Sequence, residues 1–146
     1  MSLQKRHSCC ECCNATYPMS PSQLWHFLPI GYLFTIAIET PILLAGLSPQ
    51  HSWRRRLLAG IWLTGCTYPI VILVLSQLFS DRGIYLLVAE TFAPIAECLL
   101  FWIAFGNRDS GWKMVVRDFA VITLANLASF TGGELLNYWN WFGLLG

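Results

Sequence analysis

Residues 84–106 read IYLLVAETFAPIAECLLFWIAFG. As an α-helix this stretch extends about 34 Å, enough to cross a hydrocarbon core about 30 Å thick. It contains no Lys or Arg, yet it carries two acids, Glu90 and Glu97, with Pro94 between them. The apolar run predicts a membrane-spanning helix, and the acids inside it are the feature any function must explain. Three further stretches of the same kind lie at 24–46, 57–79 and 115–138. The expected fold is therefore an all-α integral membrane protein. Four transmembrane helices form an antiparallel bundle with short loops, and no length remains for a soluble domain.

Composition agrees with that reading. The chain has 146 residues, of which 55% are hydrophobic and only 12% charged. An ordinary soluble domain carries about 25% charged residues, and a small one must cover a large surface with them. These proportions exclude disorder, a collagen-like repeat and a typical cytosolic enzyme. The net charge is +1, and the basic residues form no stripe, so no nucleic-acid partner is expected.

The ends of the spans carry their own signals. Ser20-Pro21-Ser22-Gln23 has the pattern of a helix start, with a serine cap and proline at the first helical position. Pro29 follows early, so residues 21–28 are expected to lie along the interface before the helix enters the membrane. Arg54, Arg55 and Arg56 are expected in the first loop, and Arg108 and Lys113, with Arg117 just beyond, in the third. Lys5, Arg6 and Arg82 lie on the other side. This asymmetry puts the basic loops in the cytoplasm and both termini outside, in a bacterial inner membrane. Residues 1–23 form a polar, Cys-rich tail without the apolar core of a signal peptide. Residues 139–146 continue an aromatic segment that begins Asn137-Tyr138-Trp139 and suits the membrane interface.

Four glutamates, Glu39, Glu90, Glu97 and Glu134, fall within the spans. An ionised acid near the bilayer centre costs on the order of 2.5–3.5 kcal/mol, against about 0.3–0.6 kcal/mol returned by each leucine. The acids must therefore be protonated, paired or turned to a polar interior. Counted from the outer ends, Glu39 lies about 22 Å deep and Glu97 about 20 Å, so the two share a level. Asn126, Thr67 and Tyr68 lie about 15 Å above the inner ends of their helices. This predicts a deep tier of Glu39, Glu97, Asn126 and Tyr68, and an outer tier of Glu90 and Glu134. Pro41, Pro69 and Pro94 fall beside these groups, and each frees a carbonyl one turn back.

Two other patterns stand out. Ala125, Ser129 and Gly133 step along the fourth helix at intervals of four, a small-residue stripe that lets another helix approach closely. Cys9, Cys10, Cys12 and Cys13 form C-C-x-C-C. As overlapping C-x-x-C pairs they could bind a soft metal. Disulfides on an oxidising face and lipid attachment are the competing readings.

No catalytic constellation emerges. The glycine-rich phosphate loop, the nucleophile elbow and the zinc-protease motif are all missing from the sequence. Two functions follow from the buried acids. One is a small transporter or channel for a proton or a divalent metal ion, with the six tier residues as its site. The other is a non-catalytic subunit or assembly factor of a larger membrane complex. The bilayer is the first expected partner, and a second copy or other membrane subunits would thicken the wall that four helices make.

Overall fold

The structure is a computed structural model that describes residues 21–106 and 111–138. The cysteine cluster Cys9, Cys10, Cys12 and Cys13 and the aromatic segment 139–146 lie outside the described residues. Four helices account for nearly everything else, and no strand occurs among the described residues. Helix α1 is Pro21–Gly46. Helix α2 runs Trp53–Leu78, with its first part, Trp53–Pro69, α-helical. Helix α3 is Arg82–Phe105 and α4 is Trp112–Tyr138. All four are long and apolar enough to cross a membrane.

Local chemistry sets the boundaries. Proline at the first position of α1 has no N–H to leave unpaired there. The helix then runs unbroken through Pro29 and Pro41, so residues 21–28 are part of α1. Ser52 caps α2, its side chain accepting from the Arg55 amide at 3.4 Å. Arg54, Arg55 and Arg56 therefore belong to the first turn of α2 rather than to a loop. Asp81 caps α3 through the Ile84 amide at 2.9 Å. Past Pro69, α2 widens into a π-helical segment over Ile70–Leu75.

Each helix packs against its chain neighbours, and α1 closes the ring against α4. The links 47–52, 79–81 and 106–111 are short, so consecutive helices run antiparallel. The α1–α2 and α3–α4 links share one end, which also carries Arg54–Arg56 and is called the basic end below. Gly60 lets α1 and α2 approach closely. A Cβ there would lie 2.7 Å from Thr40 Oγ1 and 3.0 Å from Thr40 Cα, so α1 and α2 touch backbone to side chain.

Arginines also finish α1. Arg56 reaches back and donates to three carbonyls, Leu44 at 2.8 Å, His51 at 3.0 Å and Ser48 at 3.1 Å. Arg117 of α4 donates to the Gly46 carbonyl at 2.9 Å. These cations satisfy carbonyls that the end of α1 leaves unpaired and meet the negative end of its dipole.

The outside of the bundle is apolar. No more than 28% of any span is buried inside the protein. Leu33, Leu87 and Ile103 are among the large side chains left facing outward. Exposed aromatics stand at both ends: Trp53 and Trp112 start their helices at the basic end, and Trp25 and Tyr138 lie at the other.

Candidate functional site

A central cluster of buried polar residues draws on all four helices. Glu39 of α1 and Glu97 of α3 are each 2% exposed. Glu39 accepts from Thr64 Oγ1 and from Ser129 Oγ, both at 2.6 Å. Glu97 accepts from Thr67 Oγ1 and from Asn126 Nδ2, both at 2.7 Å. Thr64 and Thr67 are three residues apart and so share one face of α2. Asn126 and Ser129 have the same spacing on α4. Ser129 Oγ also lies 2.9 Å from the Asn126 carbonyl, which joins the Glu39 half of the cluster to the Glu97 half.

The donors have a second property. Each hydroxyl that reaches a carboxylate also has a carbonyl of its own helix within range. For Thr64 it is Gly60 O at 2.8 Å, and for Thr67 it is Leu63 O at 3.1 Å. For Ser129 it is Asn126 O. A hydroxyl carries one proton, which it donates to one acceptor at a time. Turned toward the carboxylate, it stabilises the anion. Turned toward the carbonyl, it leaves its lone pairs to accept from a carboxylic acid. Each carboxyl can therefore exist with or without a proton while the heavy atoms stay where they are. Asn126 has two protons on Nδ2 and serves Glu97 and the Ile122 carbonyl together.

The sequence-predicted residues fall into three groups. Glu39, Glu97 and Asn126 come together as expected from their depth. Ser129, expected as a packing residue, is a direct ligand of Glu39 instead. Tyr68 stays out of the cluster: it makes no hydrogen bond among the described residues, and its ring lies 6.1 Å from that of Tyr32. Thr64 and Thr67 fill the place expected for it. In the outer tier, Glu90 is half-buried and has no hydrogen bond or ion pair among the described residues. Glu134 pairs with Arg82, which donates at 2.8 and 3.1 Å. Of the options open to a buried acid, Glu134 is thus paired: Arg82, the first residue of α3, reaches it. Of the small-residue stripe, Ala125 is buried in the core, whereas a Cβ added at Gly133 would touch nothing within 4 Å.

An apolar layer lies one turn toward the basic end. Leu43 follows Glu39 by four residues and Phe101 follows Glu97 by four, while Leu63 and Ile122 precede Thr67 and Asn126 by four. All four are buried, together with Leu47 and Ala59, and form one core cluster. Beyond that layer stands a second polar group that sequence reasoning passes over. Asp118 of α4 is 2% exposed. It accepts from Ser48 N at 2.6 Å and Ser48 Oγ at 2.9 Å, meets His51 Nε2 at 3.1 Å and receives a longer contact from Gln50 at 3.4 Å. The signal was faint, because Asp118 follows Arg117 beside the basic loop and reads with it.

As a ligand set the central cluster offers oxygen atoms and one amide, which suits protons or hard cations. A divalent ion would have to displace the four donors that already occupy the carboxylates. Among the described residues, no group of three or more His, Cys, Asp or Glu is placed to hold a metal. Comparison of the chain with protein-family models, with characterised proteins and with solved structures finds no match.

Proposed function

We propose that the chain spans a lipid bilayer as a four-helix bundle and that Glu39 and Glu97 bind and release protons in a small cation-translocating membrane protein. Membrane insertion is supported by the apolar outer face, which water would not tolerate, and by the aromatic residues at both ends, where headgroups would lie. The basic end then faces the cytoplasm under the positive-inside rule.

One observation carries the functional reading: two buried carboxylates, each held by two short hydrogen bonds from neutral donors that have a second acceptor in reach. Two carboxylates with no cation beside them are an expensive thing to bury merely for structure, since leucines would pack the same space. An arrangement that tolerates either protonation state is what a proton carrier needs. Divalent metal ions are the second cargo to test, because the same oxygens could serve them once the donors turn away.

The experiment is proton uptake into vesicles containing the purified protein, driven by an imposed membrane potential and followed with an entrapped pH dye. Wild-type protein should conduct, and Glu39→Gln and Glu97→Gln should each reduce the flux by roughly tenfold or more, as expected when an acid–base group is lost. Flux that both variants leave unchanged would sink the proposal. Manganese or zinc uptake in the same vesicles distinguishes the metal reading.

A subunit role is the second reading, favoured by the small buried share of each span, which leaves broad apolar faces for partner helices. Native mass measurement after gentle solubilisation tests it, and a lone monomer argues against it.

A further inference from the structure

The polar group at the basic end contains an unsatisfied atom. His51 is 4% exposed. Its Nε2 meets Asp118 Oδ2 at 3.1 Å, while its Nδ1 is buried without a hydrogen-bond partner. Buried ring nitrogens are ordinarily paired, so Nδ1 is an exception that calls for a reason. A carboxylate can only accept, so a hydrogen bond to Asp118 assigns the proton to Nε2 and leaves Nδ1 a bare lone pair; the Gln50 amide nitrogen, 3.3 Å from the same Nε2, also reaches Asp118, to which it can donate instead. His51 and Asp118 border a cavity of about 10 Å³, roughly the room that one water molecule needs. Gln50, Phe101 and Trp102 share its wall.

We propose that His51, held by Asp118, is a second proton-binding site on the basic side of the apolar layer, and that Nδ1 is the atom that takes the proton. The step balances simply. A proton arriving from the basic end adds to the Nδ1 lone pair, and the imidazolium that forms is neutralised by the Asp118 carboxylate already on Nε2. Nδ1 is itself closed off from solvent, so a water moving in from the neighbouring cavity would deliver the proton and accept the new N–H bond. The surroundings favour this assignment. Asp118 from α4 is the charged side chain that contacts the ring. Arg56 from α2 lies on the backbone carbonyl of His51 rather than on its imidazole. α3 presents the Phe101 ring, edge-on to His51 at 5.1 Å. The Ser48 donors fix Asp118 from the loop.

The position gives the site its meaning. Asp118 is eight residues from Asn126 on α4, about 12 Å along the helix, with Ile122 and Phe101 between the two polar groups. A proton leaving Glu97 toward the basic end would meet His51 next. The inference rests on the reading of Glu39 and Glu97 as proton sites, but its primary test does not need transport.

That test is nitrogen-15 NMR of the full chain in bilayers with labelled histidine, His51 being assigned by comparison with His51→Gln. At high pH Nε2 should carry the proton and Nδ1 none. As the pH falls, Nδ1 should gain one, and at pH values where only a small fraction of wild-type rings is doubly protonated that fraction should drop about tenfold in Asp118→Asn, because the opposing charge is gone. Nδ1 remaining bare until the protein unfolds, or an Asp118→Asn spectrum identical to wild type, overturns the proposal. In vesicles, His51→Gln should slow proton flux with both glutamates in place. Protonation at Nδ1 without wild-type flux would refute the transport reading alone. Flux without protonation at Nδ1 would refute this site alone.

Discussion

Ser129 Oγ of α4 sits 2.6 Å from Glu39 Oε1 of α1, a contact between residues ninety positions apart that ties the last helix to the first. It is one of two hydrogen bonds to that carboxylate, and nothing else in the cluster duplicates it. Ser129→Ala should therefore destabilise the bundle, by about 0.5–1.5 kcal/mol where Glu39 holds its proton and by about 1.5–3 kcal/mol where it is ionised. In a Glu39→Gln background the same change should cost about 1 kcal/mol or less. Thermal unfolding of the four proteins in detergent measures both values. Equal losses in the two backgrounds would show that Ser129 does not act through Glu39.

How far this cluster was legible in the sequence follows from what each residue type signals. Glu39 and Glu97 announce themselves because acids are costly in an apolar run, and the rise per residue alone puts them at one level. Their hydroxyl partners give little warning. Serine and threonine are common in membrane helices, where they bond to their own backbone, as Thr35 and Thr123 do here. Depth alone could not choose between Thr67 and Tyr68, since adjacent residues point about 100° apart and only packing fixes the rotation of a helix. Asp118 shows the opposite difficulty: it lies inside the stretch 115–138, but near its start and beside Arg117, and its partners come from a loop seventy residues away. The spans themselves were readable to within a few residues because length and hydropathy set them. The extra first turn of α2 came from Ser52, a cap that a window of apolar residues does not register.

Two glycines should respond in opposite ways to alanine. At Gly60 the added carbon would meet Thr40 at 2.7–3.0 Å, including its Cα, so α1 and α2 must separate. A loss of about 1–3 kcal/mol is expected, as for other overpacked interiors. At Gly133 the carbon meets nothing within 4 Å, and alanine should stabilise the helix by up to about 1 kcal/mol. Melting temperatures decide between these outcomes. A destabilised Gly133→Ala would mean that another chain packs against that face.

Arg56 binds three carbonyls with one planar fork, which a lysine ammonium cannot copy. Arg56→Lys keeps the charge yet should lower stability by about 1–3 kcal/mol through lost hydrogen bonds. It should also speed amide hydrogen exchange in residues 47–52. Wild-type exchange in that segment would show that the fork is dispensable.

The Arg82–Glu134 pair belongs to a different class. Its side chains are 51% and 40% exposed and lie at the end of the bundle opposite the basic end, where headgroups and water would reach them under the proposed insertion, so the attraction is screened and Arg82→Gln should change stability by less than about 1 kcal/mol. The small effect should shrink further with added salt, unlike that of Ser129→Ala. Unfolding at low and high ionic strength makes the comparison, and a large, salt-insensitive loss would contradict it.

Phe101 tests whether the apolar layer separates the two polar groups. It is 3% exposed, belongs to the buried cluster with Leu43, Leu63 and Ile122, and stands one turn from Glu97 with its ring against His51. Phe101→Ala should destabilise the protein by about 3–5 kcal/mol, the usual result of emptying an aromatic site in a core. Its second effect is the more telling one. Here the new cavity would have His51 at one end and lie one turn from Glu97 at the other, so water has polar partners within reach and can enter. Passive proton leak through vesicles carrying Phe101→Ala should therefore rise above wild type. Phe101→Leu, which keeps most of the volume and remains apolar, should leak little more than wild type while losing less stability. A leak that stays at the wild-type level in Phe101→Ala, in protein shown to be folded by its melting transition, would mean that this layer is not what holds protons back.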